Sequence, residues 1–499
     1  MNRRCFTLCT FCALVGLLAT ACARDAESTR PNILWIVWDT VRADHLSLYG
    51  HPVETTPNLE RWASGARIFD ASAASCWTVP SHASMFTGLL PSEHGLNRGR
   101  AKLGAKHATL AERLQGNGYQ TYAFSANPYV SGRTGLTRGF EIQEYPYDPA
   151  LIQQARDLVA RKTGAEPRTA GLAEGEAAAA QARWDLKAVG PLVNRRFARF
   201  LEQRDTRRPF FAFLNYMEAH RVRVPDRSLR ERVMSASQVE SSYEMDQSQD
   251  RMQRVSLGLQ AALSEREVEV VNGVYDAALA ELDVLLDAVL ADLEERGLSE
   301  QTIVILTSDH GEHLGDHGSY LHQYSLYDGV LRVPLVVWAP GWLAPGREEI
   351  PVTNVDLFAT ILEFAGLPVP PESTAVSLLR PVRDRALVSQ YLPFKPMLKR
   401  WSREYPDWNF EPFMARLSAV RVGSFKLLVD WDGKSELYDL SRDPGEVNDL
   451  LEKRPELAMG MREQLKRRGE IGRAGRDTAG EGRELGQEEE EQLRALGYL

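Results

Sequence analysis

Cysteine is scarce in this chain and poorly placed for structural work. Only five occur in 499 residues, and Cys5, Cys9 and Cys12 crowd into the first dozen. The remaining two, Cys22 and Cys76, are too few for a disulfide framework or a cysteine-rich metal site. A surplus of positive charge is also missing. Lys and Arg number 59 against 68 Asp and Glu, a formal net charge of −9. No basic face is on offer to neutralise a nucleic acid, although a small anionic ligand needs only a local positive site. Past the N-terminus there is no apolar run long enough to span a bilayer. Two enzyme signatures are absent as well. His313 and His317 lie four apart, but no Glu follows His313, which removes an HExxH protease. There is no Gly-x-Ser-x-Gly elbow of a serine hydrolase.

What is present begins with Arg3 and Arg4, an apolar run from Phe11 to Ala19, and then Ala19-Thr20-Ala21-Cys22. A cationic head, a short apolar stretch and small residues at the cleavage point make an export signal over residues 1–22. Leu18-Ala19-Thr20-Ala21-Cys22 resembles a lipobox, with Cys22 as the lipid-bearing first residue of a lipoprotein. A plainly cleaved signal and an uncleaved anchor are the competing readings. All three put the body outside the cytoplasm, in the periplasm or cell envelope, and the leading one touches a membrane only through its lipid.

The body opens on a continuous apolar run, Ile33 to Trp38, closed by Asp39; similar runs are Thr121 to Ser125, Phe210 to Tyr216, Thr302 to Thr307 and Pro334 to Trp338. Such runs read as strands buried on both faces. Helical patterns alternate with them at Leu110 to Asn117, Trp184 to Gln203 and Asn272 to Arg296. The fold class is therefore α/β, a mostly parallel sheet covered by helices. Two excursions, near residues 150–183 and 226–262, interrupt the alternation, the second with a helical character. After Pro368-Val369-Pro370-Pro371 short strand-like runs take over, at Ala386 to Tyr391, Ala419 to Val422, Lys426 to Val429 and Leu437 to Leu440, with a helix near Pro455 to Lys466. We expect a catalytic domain over 31–372, a small α+β subdomain over 373–466 and a charged tail over 467–499.

Polar residues follow the expected strands: Asp39, Asn127, His220 and the pair Asp309-His310. Ligands of open parallel sheets bind beyond the carboxyl ends of the strands, so these side chains are expected to converge. Asp39, Asp309 and His310 suit a divalent cation; a capping Asp and a turn His are the plainer alternatives. Between them in the chain lies Cys76-Trp77-Thr78-Val79-Pro80-Ser81-His82-Ala83-Ser84-Met85-Phe86-Thr87-Gly88. Pro80 fits a first turn, with a helix from Ser81 to Phe86. A hydroxyl such as Thr78 at a helix N-terminus beside a metal can attack an anionic centre; taken alone, an N-cap is the plainer role.

At this point the chain resembles a sulfatase of the alkaline phosphatase-like superfamily. The matching segments run in order: Pro31-Asn32-Ile33-Leu34 to Asp44, Thr78 to Gly88 with Pro91 and His94-Gly95, Thr307-Ser308-Asp309-His310-Gly311-Glu312, Leu331 to Leu335, Asn354-Val355-Asp356-Leu357, and Glu436 to Leu440 with Asp443-Pro444-Gly445-Glu446. The resemblance implies a divalent metal on Asp39, Asp309, His310 and Thr78, usually calcium, with zinc, manganese or magnesium as other candidates. It also implies His220 as a contact to the anion or leaving group. His322 falls near a lysine that holds the ester oxygen, and Asn127 and Arg42 join it as substrate-binding candidates.

The departures bear on mechanism. Sulfatases carry Cys or Ser followed by x-Pro-x-Arg, and oxidise it to formylglycine; this chain has Thr78 and His82 at the two ends of that pattern. A secondary alcohol cannot be oxidised to an aldehyde, and Cys76 lies two residues too early. A second acidic ligand is replaced by Thr40, and a lysine-bearing segment by Ser125-Ala126-Asn127-Pro128. A covalent adduct on Thr78 must be broken by external water, as in related phosphatases. The leading expectation is a metal-dependent hydrolase of sulfate or phosphate-type esters, acting on a small anionic ester or a sulfated or phosphorylated glycan, with Thr78, His220 and His82 as catalytic candidates. A phospho-substituent transferase and a non-catalytic anion-binding protein are the alternatives. Oligomeric state is not legible.

Overall fold

The computed structural model of the chain describes residues 30–96, 102–163, 186–393 and 395–467. The expected signal with Cys22, most of the first excursion and the tail beyond Arg467 lie outside the described residues. Among those residues, no helix is long and apolar enough to cross a membrane.

A nine-stranded sheet contains β1 (Asn32–Trp38), β2 (Arg67–Ser72), β3 (Gln120–Ser125), β4 (Ile142–Glu144), β5 (Phe210–Tyr216) and β6 (Thr302–Thr307), of which β1, β3, β5 and β6 are expected strands and β2 and β4 are not. A small hairpin, β7 (His313–Leu314) with β8 (Tyr320–Leu321), stands apart, and β9 (Arg332–Trp338), β10 (Gly346–Arg347) and β11 (Val352–Thr353) complete the sheet. The order is β10-β2-β9-β6-β1-β5-β3-β4, with β11 on β2. β1, β5 and β6 are buried along their whole length, because both faces are packed. Alternate residues of β1 serve the two cores: Leu34, Ile36 and Trp38 one, Ile33, Trp35 and Val37 the other. β9 runs antiparallel to both β6 and β2. Its apolar run does not encode its direction.

Register puts the functional ends level. Val37 of β1 lies opposite Asn215 of β5 and Thr307 of β6, and Ser125 of β3 also lies opposite Asn215. Residues leaving these four parallel strands therefore enter one space.

Two helices differ from expectation. The long helix spans Glu265–Glu295 and starts earlier than its apolar period, because Ser264 caps it and Glu267 returns the bond to the Ser264 amide. The helix expected from Trp184 begins at Gly190, leaving residues 187–189 outside regular structure. The second excursion is helical, at Arg227–Val233, Ala236–Glu244 and Gln249–Ser256. Its Met234 and Val239 pack on Val270 and Val274 of the long helix.

Beyond the large sheet, β12 (Leu387–Tyr391), β13 (Leu417–Val422), β14 (Phe425–Asp430) and β15 (Ser435–Asp439) form an antiparallel sheet. The helix Pro455–Arg467 lays Ala458, Met461 and Leu465 on Val420, Leu427, Val429 and Leu437. The β14–β15 turn places Gly433 at φ +95°, where a side chain would be strained.

Candidate active site and metal centre

Asp39, at the end of β1, and Asp309, after β6, are both fully buried. One oxygen of each is held. Asp39 Oδ2 accepts from Asn127 Nδ2 at 2.7 Å and from Asn215 Nδ2 at 3.5 Å. Asp309 Oδ1 accepts from the amides of Thr40 at 3.2 Å and His310 at 3.0 Å, and from Ser308 Oγ at 3.4 Å. The other oxygen of each, Asp39 Oδ1 and Asp309 Oδ2, has no hydrogen-bond partner. Burial, and for Asp39 the neighbouring charge of Asp309, pushes both carboxyls well above the usual carboxylate range. Leaving buried carboxylates half satisfied is costly unless something positive joins them.

His310 supplies the third donor. Its Nδ1 lies 2.9 Å from the Gly311 carbonyl, which only accepts, so Nδ1 carries the proton and Nε2 presents a lone pair. That Nε2 lies 3.3 Å from Asp309 Oδ2. With Asp309 ionised, two acceptors face each other there, an arrangement that fits a cation. Donor atoms of Asp39, Asp309 and His310 all lie within 4.8 Å of one another. Gly311 is required by close approach, since a Cβ there would meet the Gly329 carbonyl at 2.3 Å.

Thr40 sits at φ +62°, an outlier for a β-branched residue. The conformation is held at both ends of the residue. Its amide donates to Asp309, and its carbonyl accepts from Tyr275 Oη at 2.8 Å. Its hydroxyl is buried and unpartnered on the same wall.

Thr78 is the first residue of the helix Thr78–Thr87, with Trp77 as N-cap. The helix begins three residues earlier than the expected Ser81, so Thr78 belongs to its first turn, where amides lack helical partners. Thr78 Oγ1 lies 3.4 Å from His310 Nε2, and the residue is 3% exposed. His82, one turn on, donates from Nδ1 to the Thr78 carbonyl at 3.0 Å and leaves Nε2 buried without a partner. Burial pushes its pKa down to about 3, so it is neutral where the family pattern has a charge.

Two further histidines extend the cluster. The rings of His310 and His322 lie 4.4 Å apart, and those of His322 and His220 lie 5.8 Å apart. Burial, aided by neighbouring positive groups, holds both His220 and His322 well below the usual range. His322 Nδ1 lies 3.1 Å from the Cys76 carbonyl, which assigns the proton to Nδ1 and leaves Nε2 as a base. Lys187 Nζ lies 3.1 Å from His220 Nδ1 and donates to the Arg221 carbonyl.

The cluster thus gathers Asp39, Thr78, His82, Asn127, His220, Asp309, His310 and His322. Asn127 turns toward Asp39, so it positions a carboxylate. Arg42 does not join them. Its guanidinium is bound by Asp44 at 2.8 Å, by Asp316 and by the Glu312 carbonyl at 3.2 Å. Sequence reasoning missed Lys187, which follows an excursion without pattern. It also missed Asn215, whose signal was an amide inside the apolar run Phe210 to Tyr216.

Comparison with known proteins gives a consistent result. Residues 31–367 match the family described as Sulfatase, and residues 315–470 match N-sulphoglucosamine sulphohydrolase, C-terminal. Arylsulfatase K of Bos taurus is 25% identical over 472 residues, covering 89% of this chain and 82% of the relative. N-acetylglucosamine-6-O-sulfatase of Bacteroides thetaiotaomicron is 22% identical over 522 residues, covering 88% and 86%. A protein solved with its substrate D-glucosamine-2-N,6-O-disulfate superposes with a TM-score of 0.65 at 19% identity, covering 90% of this chain and 100% of that one. The phosphonate monoester hydrolase of Agrobacterium radiobacter superposes with a TM-score of 0.65 at 22% identity, covering 88% and 95%.

Proposed function

This chain belongs to the sulfatase family and is a sulfatase-like ester hydrolase, and from that premise we propose that it cleaves sulfate or phosphate-type esters with Thr78 as nucleophile. One observation carries the reading: Thr78 Oγ1 lies 3.4 Å from the lone pair of His310 Nε2, beside two buried carboxylate oxygens that lack partners. Asp39, Asp309 and His310 would hold a divalent cation, with calcium the first candidate and zinc, manganese or magnesium the others. Such an ion supplies Lewis-acid charge, favouring an ionised hydroxyl and drawing charge from the ester oxygens.

In this scheme Thr78 Oγ1 forms a bond to sulfur or phosphorus, and the ester oxygen departs as an alcohol. The hydroxyl proton passes to a neighbouring base of the histidine cluster and from there to the leaving oxygen. His220 and Lys187 face the anion from the far end of the histidine row. Water then cleaves the threonine ester, releasing sulfate or phosphate and restoring the hydroxyl. Thr78 has no second hydroxyl of the kind a formylglycine hydrate uses, so this water step is obligatory. Phosphonate esters enter the reading because the Agrobacterium relative is named for that reaction, and sulfated glycans because a structural relative holds a disulfated glucosamine.

The test is a panel of aryl sulfate, phosphate monoester, phosphodiester and phosphonate substrates, with Thr78→Ala alongside. Turnover in the panel that falls at least about 10³-fold in Thr78→Ala is the expected result. Equal turnover by the two proteins would remove Thr78 as nucleophile. The export reading, with a lipid at Cys22, predicts that Cys22→Ala moves the protein from the membrane fraction to the soluble one; unchanged fractionation would contradict it.

A further inference from the structure

A second group of metal-type donors lies on the outer side of the loop that carries Asp39. His45 ends the short turn Ala43–His45, His51 follows Gly50, and Asp276 projects from the long helix Glu265–Glu295. Gly50, at φ +98°, reverses the chain and brings His51 back over His45. The two imidazoles stack at 4.7 Å with 28° between their planes. His45 Nδ1 lies 2.7 Å from Asp276 Oδ1, and His51 Nε2 lies 3.2 Å from Asp276 Oδ2. One donor atom from each residue lies within 4.8 Å of the others.

We propose that His45, His51 and Asp276 form a second divalent-metal site, of zinc type and structural in role. Bonds of about 2.0–2.2 Å in a tetrahedral site keep neighbouring donors roughly 3.3 Å apart. His45 Nδ1 and His51 Nε2 approach different oxygens of Asp276, so a site with one carboxylate ligand needs the Asp276 carboxylate to turn and offer both nitrogens the same oxygen at that spacing. Two imidazoles and one carboxylate favour zinc, cobalt or nickel over calcium, which sets this group apart from the oxygen-rich Asp39–Asp309 pair. His51 is half-buried, so a fourth position is open to water.

The site would act through the loop. Tyr275, next to Asp276, packs edge-on against His45 at 5.2 Å and holds the Thr40 carbonyl and the Arg42 amide through its hydroxyl. A metal here would staple the long helix to the segment that presents Asp39 and Thr40. Zinc would bind here whether or not Thr78 is the nucleophile.

The experiment is zinc binding by calorimetry with elemental analysis, on apo wild type, on Asp39→Asn/Asp309→Asn, and on both with His51→Ala added. His51 is half-buried, and circular dichroism checks that its variant folds. The double aspartate variant is expected to take up one zinc per chain and to gain thermal stability from it. Adding His51→Ala is expected to weaken that uptake on the order of 100-fold and to abolish the stability gain. If the double aspartate variant fails to fold, wild type against His51→Ala decides, with the loss of one bound zinc expected. Zinc uptake unaffected by His51→Ala, or absent from the double aspartate variant, would overturn the proposal and leave a hydrogen-bonded staple.

Discussion

Asp356 and the pair Asp39–Asp309 are equally hidden from water, yet the protein treats them in opposite ways. Asp356 opens the helix Asp356–Phe364, and each of its oxygens has two donors. Oδ1 accepts from Arg385 at 3.0 Å and the Val376 amide at 2.8 Å; Oδ2 accepts from Arg385 and the Thr353 amide at 3.1 Å. Nothing is left to bind. Asp39 and Asp309 each keep an oxygen with no partner, beside a histidine lone pair. Asp283 stands between these extremes, taking the amides of Asn58 at 3.0 Å and Leu59 at 2.8 Å. Burial alone therefore does not mark function. What sets Asp39 and Asp309 apart is an unpartnered oxygen beside a histidine cluster, whereas the saturated Asp356 serves the scaffold.

The largest effect is expected at Asp309. Asp309→Asn should lower turnover at least about 10³-fold by removing metal, while leaving metal-free stability unchanged or raised, since one of two buried like charges is gone. Stability lost in step with activity would place Asp309 with Asp356. Asp356→Asn is the converse, stranding the Arg385 guanidinium at a cost of about 3–5 kcal/mol in denaturant unfolding. A well-folded variant of normal stability would undo the saturation argument. At Asp283 the effect is smaller and depends on pH. Burial lifts its pKa to about 6, above the unfolded value, so between pH 4 and 6 the folded state holds the extra proton. Stability from this group is fully present at the acidic end and is lost as pH rises through that window, by about 3 kcal/mol. Asp283→Asn should flatten that segment of the stability curve; an unchanged slope would show that the carboxyl is not raised.

Much of this was legible in the sequence, for physical reasons that also explain the gaps. The strands β1, β3, β5 and β6 are apolar on both faces, so their runs stood out, and with them the residues that follow. β2, Arg-Ile-Phe-Asp-Ala-Ser, mixes polar and apolar residues and gave no such run. The direction of β9 was hidden because burial on two faces looks the same either way along the chain. Asn127 and Arg42 were found as residues but not as orientations: one amide turns to Asp39, and one guanidinium is consumed by Asp44 and Asp316. Lys187 reaches the site from a segment with no periodicity, and only the tertiary fold brings it to His220.

If the incomplete cluster serves Thr78, the proof lies on the peptide that carries it, read by mass spectrometry. Protein quenched in acid during turnover of the best substrate should carry a sulfo or phosphoryl group on Thr78, lost on chase with water and absent from Thr78→Ala. Full turnover with no adduct on that peptide, and with the same rate in Thr78→Ala, would contradict the account.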